Sequence, residues 1–60
     1  MMTTKLLRVY LVDDESLALK RLTRMLRETH RVEIVGSTVD PAEAVRFLLD
    51  HPVDAVFLDI

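Results

Sequence analysis

The residues of this chain best suited to joint chemistry are three carboxylates, Asp13, Asp14 and Asp59. Asp13 and Asp14 follow the apolar run Val9-Tyr10-Leu11-Val12, and Asp59 follows Ala55-Val56-Phe57-Leu58. Both runs read as strands, which puts the acids at carboxyl ends. In open parallel sheets, ligands bind outside those ends, where the strand order reverses. If the two strands are neighbours, the three carboxylates converge there and repel one another. A hard divalent cation makes such clustering favourable, and Mg2+ takes oxygen ligands in octahedral geometry while keeping waters. The cation also neutralises an incoming phosphoryl group. A carboxylate is a competent nucleophile toward that group and forms an aspartyl-phosphate.

Each acid also has a plainer use. Asp13 and Asp14 precede a helix, where acidic residues cap the first turn and compensate the dipole. Glu15 fits dipole compensation better than a pocket rim. Asp59 could be an exposed acid at a strand end, but four apolar residues before it and a second acidic stretch to meet it favour the shared site.

The elements that would position these groups are legible. Arg8-Val9-Tyr10-Leu11-Val12, with Leu6 and Leu7 before it, reads as a strand buried on both faces. Ser16 is the expected helix N-cap, with Asp14 as the alternative. Ala18, Leu22, Met25, Leu26 and Thr29 make one apolar stripe on a helix of about three turns, and Met25 is assigned to the core. Val32 to Gly36 is a second strand, and Ser37-Thr38-Val39 a loop. Asp40-Pro41-Ala42-Glu43 is a strong helix start, with Asp40 as cap and Pro41 at the first helical position. Ala44, Val45, Leu48 and Leu49 supply that helix's buried face, and Pro52 stops it. Asp54 to Leu58 is a third strand. Strands alternating with helices predict an α/β fold with a parallel sheet and right-handed crossovers.

Composition narrows the class. Sixty residues allow one domain at most, and domains of that size are marginal. Half the residues are hydrophobic, which is globular rather than disordered composition. The net charge of -2 argues against nucleic acid or an anionic membrane as a direct partner of this segment. There is no cysteine, so neither a disulfide nor a thiolate metal site can staple the fold. The apolar runs fall far short of the ~20 residues that a membrane span needs. Met1-Met2-Thr3-Thr4-Lys5 lacks the apolar region of a secretory signal, so a cytoplasmic location is expected. Lys20, Arg24, Arg27 and Arg31, with Arg21 beside them, form a basic stripe that reads as a solvated helix face. His30 and His51 sit at helix ends, where a cation suits the dipole, and lack the paired ligands of a metal site.

Val9-Tyr10-Leu11-Val12-Asp13-Asp14-Glu15 resembles the first strand and acidic pocket of response-regulator receiver domains. Ala55-Val56-Phe57-Leu58-Asp59-Ile60 is similar to their third strand with its phosphoacceptor aspartate. The likeness runs from Lys5 to Ile60. The run from Asp13 to Leu22, with Leu58-Asp59-Ile60, looks most like regulators that carry a LytTR-type DNA-binding output domain, with Ser16 where a proline is often found. The resemblance implies a flavodoxin-like fold in which residues 1–60 are the N-terminal β-α-β-α-β half of a receiver. It implies that Asp59 accepts phosphate from a sensor histidine kinase. It also implies that Asp13, Asp14 and Asp59 bind Mg2+, and that the first helix helps to dock the kinase. A DNA-binding output would lie outside this segment.

Receivers order five strands 2-1-3-4-5, so this chain is expected to hold 2-1-3. The later hydroxyl, lysine and switch aromatic of the family pocket, and the metal-binding carbonyl two residues after the phosphoacceptor, fall outside the sequence. The chain is therefore expected to be a fragment that self-associates through the apolar edge of its third strand and is inactive alone. Two alternatives compete. One is a Mg2+-dependent phosphotransferase or phosphatase with an aspartate nucleophile, as in haloacid-dehalogenase-like folds. The other is a structural fragment without chemistry. A dinucleotide site is disfavoured, because no glycine-rich turn follows the first strand.

Overall fold

The structure, a computed structural model, describes residues 5–59. Met1 to Thr4, read above for a leader, and Ile60 of the third-strand motif lie outside the described residues. The elements are β1 Leu7–Asp13, α1 Ser16–Glu28, β2 Val32–Thr38, α2 Pro41–Asp50 and β3 Ala55–Asp59. The three strands form one parallel sheet in the order β2-β1-β3. β2 lies on one side of β1 and β3 on the other, so right-handed connections send α1 and α2 to opposite faces. This is the α/β, flavodoxin-like arrangement expected of a receiver's first half.

The core follows from the alternation of β1. Val9 and Leu11 face α1 and pack with Leu19, Leu22, Leu26, Val32, Ile34 and Ala55. Tyr10 and Val12 face α2 and pack with Val35, Ala44, Phe47, Leu48 and Val53. Leu11 is wholly buried. The central strand is thus covered on both faces, whereas Leu6 and Leu7 at its start are exposed.

The helices are rotated relative to the expected stripes. Leu19 is the buried residue of α1, while Met25 is 59% exposed and Thr29 is the C-cap rather than part of the stripe. The stripe that faces the sheet is Leu19, Leu22 and Leu26, at i, i+3 and i+7. Met25 lies about 100° round from Leu26, toward solvent. On α2, Ala44 is buried and Phe47 and Leu48 are half-buried, but Val45 and Leu49 are exposed, Leu49 by 79%. The large Phe47 ring takes the inward position. It stacks on Tyr10 with centroids 4.6 Å apart and on His51 at 4.1 Å.

The ends of the elements correct three further expectations. Ser16 is the first residue of α1, and Glu15 occupies the cap position without a side-chain cap bond. β2 runs on through Ser37 and Thr38 instead of ending at Gly36 in a loop. β3 begins at Ala55 and includes Asp59. The start of α2 is as expected, with Pro41 in the first turn and the Ala42 N–H donating to Asp40 Oδ1 at 3.0 Å. His30, just beyond α1, adopts a φ of 57°, the left-handed turn that commonly closes a helix. Among the described residues, no helix is long and apolar enough to cross a membrane.

Candidate functional site

The site starts from strand register. β1 and β3 pair from Val9 opposite Ala55 to Asp13 opposite Asp59. Partners across a sheet lie about 4.8 Å apart and project to the same face. Asp13 and Asp59 therefore stand side by side at the carboxyl edge, on the face that carries α1. β1 is also where the strand order reverses.

The two carboxylates differ in surroundings. Asp13 is only 5% exposed. Its Oδ1 accepts the Glu15 N–H at 2.9 Å, a two-residue turn that carries the chain from β1 into α1. Asp59 is exposed at the end of β3. Asp14 is exposed on the turn between β1 and α1. Among the described residues, no three His, Cys, Asp or Glu side chains gather into a group that could hold a metal. The strand register thus sets Asp13 opposite Asp59, and Asp14 is exposed on the adjoining turn. A hard cation that keeps most of its waters requires only one or two carboxylates, and the oxygen-only donors Asp13 and Asp59 suit Mg2+.

Two further residues shape this rim. Thr38 is buried at the carboxyl end of β2, and its Oγ1 accepts the Asp40 N–H at 3.0 Å, holding the turn into α2. On the opposite face, Val12, Ala44, Val45, Leu48, Val56 and Leu58 line an apolar cleft of about 190 Å³. The basic residues Lys20, Arg21, Arg24, Arg27 and Arg31 are exposed, as expected of a solvated face. Lys20, Arg24 and Arg27 line a groove of about 700 Å³ along α1 that includes none of the three carboxylates.

Asp54 went unrecognised as anything beyond a strand start. Its Oδ2 accepts the Arg8 N–H at 2.8 Å, and its own N–H donates to the Arg8 carbonyl at 2.7 Å. The Arg8 guanidinium reaches the Pro52 carbonyl at 2.9 Å. The sequence offered one signal, a lone acid directly before an apolar strand, which also fits an ordinary exposed turn residue.

The chain is similar to several curated proteins over most of its length. It is 41% identical to the transcriptional regulatory protein YpdB of Escherichia coli K12 over 54 residues, covering 90% of this chain and 22% of that protein. It is 39% identical to protein MrkE of Klebsiella pneumoniae over 59 residues, 98% of this chain and 22% of the relative. It is 42% identical to the sensory transduction protein LytT of Bacillus anthracis over 55 residues, 92% of this chain and 22% of the relative. The chain thus spans less than a quarter of the length of the curated relatives it matches. No family model and no solved structure matches it.

Proposed function

We propose that this chain is a response-regulator receiver segment of the LytTR type, a reading supported by its similarity to transcriptional and sensory-transduction regulators, and that it accepts a phosphoryl group on Asp59 and acts as a signalling switch. The observation that carries this reading is the pairing of Asp59 with Asp13 at the carboxyl edge of the central strands. The donor is the phosphohistidine of a sensor histidine kinase. A carboxylate oxygen of Asp59 attacks phosphorus, the P–N bond breaks, and the imidazole leaves with its electron pair and takes up a proton. Asp59 is exposed, so an incoming donor can reach it.

Asp13 and Asp59 would hold Mg2+, with Asp14 adding charge or a water-bridged contact from the turn. When bound, Mg2+ neutralises charge on the phosphoryl oxygens. The Glu15 N–H fixes Asp13 Oδ1, which orients the remaining oxygen of that carboxylate. The output is transcriptional, and any DNA contact belongs to an output domain outside this segment. The switch works in the cytoplasm. Among the described residues, the outer edge of β3 pairs with no strand and carries exposed Val56, Phe57 and Leu58. Such an edge takes up a further strand, from the same polypeptide or a second copy.

Incubation of a receiver that contains this segment together with the remaining pocket residues, with Mg2+ and acetyl phosphate, tests the assignment. An acid-stable but base-labile phosphoryl adduct on Asp59 is expected, absent from Asp59→Asn and reduced in Asp13→Asn. An adduct that persists in Asp59→Asn overturns it.

A further inference from the structure

β3 carries Ala-Val-Phe-Leu between Asp54 and Asp59. An apolar run of this kind looks alike on both faces. Where one face is apolar and the other polar, a one-residue slip exposes the wrong set and the register is strongly specified. β3 lacks that pattern, and Val56, Phe57 and Leu58 are all partly exposed. Side-chain burial therefore discriminates weakly between registers. Yet a slip of one residue would turn the Asp59 side chain to the other face, and a slip of two would move it by about 6.6 Å along the strand. Either removes it from Asp13.

The amino end of the strand pair supplies the stronger selection, where Asp54 bonds to β1 between Val53 and Ala55, which pack into opposite cores. Asp54 grips one residue of β1 twice, accepting from the Arg8 N–H and donating to the Arg8 carbonyl. Both partners are main-chain groups of Arg8, and the grip falls at this position along β1 where the neighbours of Asp54, Val53 and Ala55, pack into the two cores. A carboxylate accepting a backbone N–H also makes a charge-assisted bond, stronger than a neutral one. Val9 then pairs with Ala55, and four steps on, Asp13 pairs with Asp59.

We propose that Asp54 is a positioning residue, which sets the β1–β3 register and thereby brings Asp59 beside Asp13. The functional part of this inference rests on the phosphoacceptor assignment; the register part does not. Arg8 serves through its main chain, and its guanidinium bond to the Pro52 carbonyl is dispensable for register.

The test uses the full chain with Mn2+ as a paramagnetic probe, comparing wild type with Asp54→Ala, Asp54→Asn and Arg8→Ala. In wild type, Mn2+ broadens the amides at both Asp13 and Asp59, and cross-strand NOEs join Val12 to Leu58. In Asp54→Ala, broadening at Asp59 and the Val12–Leu58 NOEs are lost while broadening at Asp13 remains. Mn2+ affinity falls about 10–100-fold, as for other residues that orient metal ligands. Asp54→Asn keeps an acceptor oxygen and restores all three readouts, and Arg8→Ala resembles wild type. Should Asp54→Ala unfold, trimethylamine N-oxide restores folding without the bond, and the same signals decide. A folded Asp54→Ala that keeps the wild-type NOEs and broadens at both strand ends overturns the proposal, whatever its melting temperature. If Mn2+ broadens neither strand end in wild type, the metal-assisted assignment fails, and the NOEs still decide the register.

Discussion

β2 and β3 flank β1 in the same parallel sense but are held by different means. β2 is locked by shape. Its pairing with β1 skips Val35, with Val9 opposite Ile34 and Tyr10 opposite Gly36. Gly36 lies under the Tyr10 ring so closely that a Cβ there would sit 2.7 Å from Tyr10 Cε1, and Phe47 closes the stack from above. α1 and α2 each cover one face of the β1–β2 pair. β3 is covered more thinly, with Ala55 packed in one core and Val56 and Leu58 facing α2 across an open cleft, and polar bonds from Asp54 pin its start. The scaffold half of the molecule thus takes its register from packing. The half that carries the proposed phosphoacceptor takes it from a few hydrogen bonds at one end. Such a strand leaves its far end open to a ligand or a partner strand.

The sharpest way to break this contrast is to truncate one leucine in each half. Leu11→Ala, at a fully buried position, is expected to cost about 2–5 kcal/mol, whereas Leu58→Ala, 59% exposed, costs less than about 1 kcal/mol. Urea unfolding of both variants measures the difference, and equal costs would mean that β3 is covered as well as β1. Next in size, Gly36→Ala forces a methyl against the stacked Tyr10 ring and destabilises by about 1–3 kcal/mol. A neutral Gly36→Ala in thermal melts would show that the aromatic stack yields freely.

A smaller effect separates the two helix starts. Asp40→Ala removes a cap bond and costs about 1 kcal/mol. Glu15→Ala removes none, since Glu15 makes no side-chain cap bond, and leaves the melting temperature nearly unchanged. The last expectation has no effect at neutral pH. Burial, and secondarily the Glu43 carboxylate, raise the Tyr10 phenol above its ordinary value. Above a pH of about 10, the unfolded chain therefore loses the phenol proton before the folded one does. The unfolded state then binds fewer protons, so stability falls as pH rises from there through the folded-state value. Alkaline unfolding followed by phenolate absorbance checks this, and Tyr10→Phe should flatten the fall.

What could be read without the structure was whatever depends on nearby residues. Asp40, Pro41 and Glu43 marked the start of α2 because capping joins residues two or three apart. The five elements and their order followed from apolar runs and their breaks. A central strand apolar on both faces marked β1 as the one buried twice. Helix faces were harder. Met25 and Leu19 are both apolar, and only packing against Val9 and Leu11 selected Leu19.

The chain's own sequence determined that acidic groups end two apolar strands, because each such ending is a local change from apolar to charged residues. Only the tertiary structure decided that Asp59 stands opposite Asp13, with Asp14 exposed on the adjoining turn. Register is a relation between segments 46 residues apart. The Asp54 carboxylate that pins it meets a main-chain group of Arg8, so the sequence shows a lone acid before a strand and not the residue it meets.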